Sequence, residues 1–157
     1  MPHASTAYLA LGSNLGDRAA HLRAALEALQ GRGIEVTRVS SFHETAPVDV
    51  PAGEEHLTFL NACAEARTGL SPRALLDALL EIERDLGRVR SGVRHAARTV
   101  DLDLLFYADW VLNDPALTLP HPRLHLRGFV LGPLAEIAPD LRHPKLGKTV
   151  RELLARL

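Results

Sequence analysis

Cysteine is almost missing from this sequence. Cys63 is the only one in 157 residues, which excludes an intramolecular disulfide and a zinc site built from several thiolates. Net charge is nearly missing as well. Eighteen Lys and Arg stand against nineteen Asp and Glu, so no strong positive field covers the whole surface to attract nucleic acid nonspecifically, and any anion site has to be local. No apolar run approaches the roughly 20 residues that span a bilayer, and the opening MPHASTAYLALG lacks a basic start followed by a long apolar stretch. The expectation is a soluble, cytoplasmic protein with neither membrane nor nucleic acid as partner. Repeats, linkers and low-complexity segments are also lacking, and the length suits one well-buried core, hence a single domain over 1–157.

What is present is a regular succession of elements. Residues 7–11 form a short apolar run stopped by GSNLG, which reads as a strand ending in a turn. Asp17 can cap a helix over 18–30, where Leu22, Ala25, Leu26 and Leu29 recur at helical spacing. Residues 34–42 read as a second strand, HETAPVDVPAGEEH (43–56) as a long loop and 57–66 as a third strand. Ser71 followed by Pro72 opens a helix that runs to Gly87. After RVRSGVRHAAR comes a strand over 99–106. The order βαββαβ is that of an α+β, ferredoxin-like sheet with its helices on one face. A hairpin around ADWVLNDPALTLP, a helix over 129–137 and a last helix at Thr149, whose spacing to Glu152 suits a capping box, complete the chain.

The stretch TVDLDLLF breaks the usual pattern. Aspartate is depleted from strands, yet Asp101 and Asp103 occupy alternate positions and so point to one face, while Val100, Leu102 and Leu104 point to the other. Two carboxylates about 5 Å apart at an effective dielectric near 20 repel by roughly 3 kcal/mol. A shared divalent cation reverses that sign, because it attracts each carboxylate at shorter range with twice the charge. Two carboxylates facing water on an open sheet would be the bland alternative.

Arg88, Arg90, Arg94 and Arg98 immediately precede that strand. Planar guanidinium forks suit phosphate oxygens, and arginines beside hard oxygen ligands point to a substrate needing both, such as a nucleoside triphosphate. A solvated loop that merely neutralises the aspartates is the alternative for any one of them. Two other patterns lead nowhere: LGKT (146–149) has Arg142 where a phosphate loop needs its first glycine, and Pro122 separates His121 from His125.

RHAARTVDLDLLF, with LALGSNLGD, FLNA and LPHPRLHLRGFVLGPLAEIAPD, strongly resembles the 6-hydroxymethyl-7,8-dihydropterin pyrophosphokinases of folate biosynthesis, from about Ala7 to the final helix. The resemblance implies transfer of the β,γ-diphosphate of ATP to the pterin hydroxymethyl oxygen with release of AMP. It implies two Mg²⁺ ions on Asp101 and Asp103. Arg88, Arg98, His121 and Arg127 match phosphate-holding positions; Arg90 and Arg94 belong to the same loop, expected to order when MgATP and pterin are both bound; and Glu83 matches a carboxylate near the nucleotide. Phe59 and Phe129 match aromatic faces about the pterin, Asn61 an amide that reads its edge, and Thr45 and Pro47 the bordering loop. A monomer acting on these two small molecules is expected. His95, Ala96 and Ala97 depart from the tryptophan, glycine and proline frequent in the family. The alternative from another class is a noncatalytic domain of this fold binding RNA or a regulatory nucleotide, and the alternative enzyme is a metal-dependent nucleotidyltransferase.

Overall fold

The structure, a computed structural model, describes residues 4–46, 58–87 and 100–157. Strand β1 (Ser5–Ser13) is followed by helix α1 (Arg18–Gln30). Asp17 caps that helix by accepting the Ala20 N–H at 3.1 Å, and Leu22, Ala25 and Leu29 form its buried stripe. The turn into β2 (Ile34–Val39) passes through Gly33 at φ +76°, a left-handed conformation that favours glycine. Then come β3 (His43–Thr45), β4 (Phe59–Thr68) and helix α2 (Pro72–Asp85). The Ser71 hydroxyl caps α2 at the Ala74 N–H, with Pro72 in the first turn as expected.

Strand β5 (Asp101–Tyr107) completes the main sheet. Its neighbour order is β2-β4-β1-β5, every pairing is antiparallel, and β3 also pairs with β4. Two further strands, β6 (Leu112–Asp114) and β7 (Leu117–Leu119), make the C-terminal hairpin. A 3-10 turn at Leu124–Leu126 leads into α3 (Gly128–Ile137), and α4 (Val150–Ala155) closes the fold with the Thr149/Glu152 capping box in place.

The two faces of the sheet carry separate cores. Leu9, Leu11, Ala62, Ala64, Leu102 and Leu104 pack against α1 and α2. Tyr8, Cys63, Leu105 and Phe106 pack against α3 and α4. Among the described residues no helix is long and apolar enough to cross a membrane.

Two sequence expectations need correction. The strand expected over 34–42 stops at Val39, and β3 lies inside the stretch read as loop. Ser40 is the cause: its N–H still donates to the Cys63 carbonyl at 2.9 Å, but its hydroxyl takes the Cys63 N–H that a strand carbonyl would accept. A side-chain oxygen that substitutes for the backbone bends the edge, and pairing resumes at His43 opposite Asn61. Gly12, read as the start of a turn, is instead a paired strand residue with partners on both sides.

Candidate active site

The second face of the sheet is covered by α3 and α4 over one half, and the other half is open. Here β1 contributes Ala10, Leu11 and Gly12 to a cavity of about 850 Å³, and Ala10 and Gly12 are the two on its open face. Register dictates what flanks them. Gly12 pairs with Asn61 on β4 and with Asp101 on β5, while Ala10 pairs with Cys63 and Asp103. Small residues on the central strand keep the floor low between two polar walls. A Cβ at Gly12 would lie 3.1 Å from the Asn61 Oδ1.

Asp101 and Asp103 both line the cavity, and Leu102 between them, which also borders it, is buried toward the helices. Glu83, only 2% exposed, reaches from α2 and accepts the Leu102 N–H at 2.7 Å. Among the described residues β5 is the sheet edge and its outward N–H groups have no strand beside them, and this carboxylate supplies a partner to one. Glu83 therefore fixes the peptide between the two aspartates and lines the same cavity.

His121, Arg123 and Arg127 form the wall beyond β5. The His121 N–H donates to the Leu105 carbonyl at 2.9 Å, which ties this segment to the strand. Burial above all, then the Arg127 and Arg123 charges, lowers the His121 pKa to about 4, with Asp101 opposing. The neutral imidazole accepts the Arg123 N–H on Nδ1, so its proton resides on Nε2 as a donor. The Arg127 guanidinium stands 5.5 Å over the Phe129 ring.

On the opposite wall Asn61 donates from Nδ2 to the Thr45 hydroxyl at 2.5 Å. Phe59, Phe129 and this hydrogen-bonded pair border one end of the cavity; the other passes round the β5 edge toward α2, where Leu76, Leu80, Leu104 and Leu117 give it an apolar lining.

Glu83, Asp101, Asp103, His121, Arg127, Thr45, Phe59, Asn61 and Phe129 were all nominated from sequence, and the fold brings them to this one cavity. Pro47, Arg88, Arg90, Arg94, Arg98 and the loop-ordering expectation lie outside the described residues. Sequence reasoning missed Gly12, Arg123 and the apolar end. Arg123 could have been flagged by its spacing of four from Arg127; Gly12 gave no signal, because its neighbours are set by strand register.

Comparison with known proteins bears on this cavity. The profile of the 7,8-dihydro-6-hydroxymethylpterin-pyrophosphokinase (HPPK) family matches residues 8–139. A 2-amino-4-hydroxy-6-hydroxymethyldihydropteridine pyrophosphokinase of Bacillus subtilis is 47% identical over 136 residues, 86% of this chain and 79% of the relative. One from Methylorubrum extorquens is 46% identical over 152 residues, 96% of this chain and 92% of the relative. Among solved structures, a Plasmodium falciparum HPPK-DHPS superposes with a TM-score of 0.80 at 16% identity over 99% of this chain. The chain spans 46% of that longer protein. At that identity the likeness concerns the fold: a mixed α/β arrangement of antiparallel sheet and helices.

Proposed function

The chain belongs to the 7,8-dihydro-6-hydroxymethylpterin-pyrophosphokinase family, and we propose that the cavity on the open face of its sheet is where that reaction takes place. The protein is an ATP-dependent diphosphotransferase of folate biosynthesis that acts on ATP and 6-hydroxymethyl-7,8-dihydropterin. The observation that carries the site assignment is the cross-strand row Asn61–Gly12–Asp101, which sets a heterocycle-reading amide beside a carboxylate suited to a phosphate-bound cation.

The donor chemistry fits magnesium. Asp101 and Asp103 offer hard carboxylate oxygens on one strand face, and Mg²⁺ is usually held by one or two carboxylates, with substrate phosphates and water completing its shell. Among the described residues no group of three or more His, Cys, Asp or Glu could hold a metal ion. A site finished by the nucleotide needs no such group. Two Mg²⁺ ions on this pair would supply charge neutralisation for the triphosphate.

The protein's own groups do the rest. Neutral His121 donates from Nε2 to a phosphate oxygen, and Arg127 supplies a guanidinium beside it, joined by Arg88 and Arg98 with Arg90 and Arg94 from the preceding segment. Leu76, Leu80, Leu104 and Leu117 suit the flat apolar surface of adenine. Phe59 and Phe129 stack on the pterin, Asn61 hydrogen-bonds its edge, and Thr45 orients that amide; Pro47 is assigned to the same pocket by the family resemblance. Held between these walls, the pterin hydroxyl attacks the β-phosphorus in line and AMP leaves; positioning and charge stabilisation carry the reaction without a covalent enzyme intermediate.

We read the βαββαβ core as ferredoxin-like, supported by the neighbour order and by α1 and α2 sharing one face. A single domain over 1–157 is supported by two cores that share one sheet. The monomer remains what the family resemblance implies, and the bacterial relatives support a cytoplasmic setting.

Incubation with MgATP and 6-hydroxymethyl-7,8-dihydropterin should release AMP and form the pterin diphosphate. Release of inorganic diphosphate instead would indicate nucleotidyl transfer and overturn this reading.

A further inference from the structure

Arg18 opens α1 at the helix end where a cation is least favoured, because the exposed N–H groups there carry partial positive charge. No acidic residue in the first turn offsets it. Its contacts explain its placement. One guanidinium nitrogen donates to the Thr58 carbonyl at 3.0 Å and to the Thr58 hydroxyl at 2.6 Å. That hydroxyl donates onward to Glu44 at 2.7 Å, and the second guanidinium nitrogen stands 3.6 Å from the same carboxylate. The Thr58 hydroxyl, followed by the Arg18 charge, holds the Glu44 carboxyl below its ordinary range.

These three residues sit at one end of the β3–β4 ladder. Thr58 precedes Phe59, and Glu44 precedes Thr45; Glu44 pairs with Leu60 and Thr45 with Phe59. Side chains alternate along a strand, so Glu44 and Thr58 face the helices whereas Thr45, Phe59 and Asn61 face the cavity. Strand β3 has three residues and, among the described residues, pairs with β4 alone, which leaves its backbone ladder little strength of its own.

We propose that Arg18 is a positioning residue for the pterin. From the far side of the sheet it clasps β3 to β4 and holds Thr45 in reach of Asn61. The inference rests on placing the pterin against that pair. The nucleotide wall is untouched by the clasp, because Asp101, His121 and Arg127 lie across β1 from it.

The test is calorimetric binding of 6-hydroxymethyl-7,8-dihydropterin and, separately, of a nonhydrolysable MgATP analogue to the full chain and its variants. Arg18→Met should raise the pterin Kd about five-fold while leaving the nucleotide Kd unchanged. Arg18→Lys should recover part of the loss, and adding Thr58→Val to Arg18→Met should cost little more, since both act through one network. Thr58→Val alone should shift the pterin Kd in the same direction, and it decides the matter if Arg18→Met does not fold. An unchanged pterin Kd in the folded variants, or an equal loss for pterin and nucleotide, overturns the inference while the site reading stands. Failure of the wild-type protein to bind the pterin overturns both.

Discussion

Asn61 and Asp101 stand in one cross-strand row, two strands apart, with only Gly12 between them. Strand spacing of about 4.8 Å puts their backbones roughly 10 Å apart, and a glycine in the middle leaves that gap open. Gly12→Ala should therefore act on the pterin: the new Cβ, 3.1 Å from the Asn61 Oδ1, displaces the amide. Steady-state kinetics should show the pterin KM rising about five-fold, near 1 kcal/mol, with the ATP KM held. Equal KM values for the variant and the wild type would remove Asn61 from the pterin wall.

The paired carboxylates give an effect on chemistry and not on folding. Asp101→Asn or Asp103→Asn keeps the side-chain shape but weakens the cation site, so turnover at saturating substrates should fall by orders of magnitude while the fold is retained. Near-normal turnover in both variants would dismiss the proposed metal role.

Glu83 should matter for stability and activity together. Glu83→Ala leaves the Leu102 N–H unsatisfied inside the protein, a loss of about 1–3 kcal/mol in urea unfolding, and releases the peptide between the two aspartates. Glu83→Gln keeps an acceptor oxygen and should lose less of both. Full stability in the alanine variant would show that another group serves this N–H.

Mild acid should destabilise the protein through histidine. His121 titrates near 6.5 when unfolded and near 4 when folded, so between those values the unfolded chain binds a proton that the folded chain refuses. The contribution is complete above pH 6.5 and is lost as pH falls toward 4, about 2 kcal/mol by pH 5. His143 is lowered too, by burial first and then by His125 and Lys145, and its Nδ1 accepts the N–H groups of Lys145 and Leu146. Glu44, Glu136 and Glu152 have lowered pKa values, so their linked losses start at the ordinary carboxylate value and run below it, under the pH 7.5 to 5 range of the test. Urea midpoints should drop between pH 7.5 and 5, and less so in His121→Gln. A pH-independent midpoint would contradict the neutral, half-buried imidazole.

Sequence alone determined the elements whose signals are local. The caps at Asp17, Ser71 and Thr149 and the leucine periodicity of α1 depend on residues within a few positions of one another, so they are legible in one dimension. The alternation that turns Asp101 and Asp103 to one face is equally local, as is the run of residues that carries the family resemblance. Tertiary structure decided the rest. Whether Ser40 continues a strand or breaks it depends on Cys63, twenty-three positions away. Glu83 became the support of β5 only because α2 packs along that edge, and Gly12 became the floor of the site only because register sets Asn61 and Asp101 on either side. Such roles arise from pairings between distant segments, which the packing of both sheet faces selects and no short window of sequence contains.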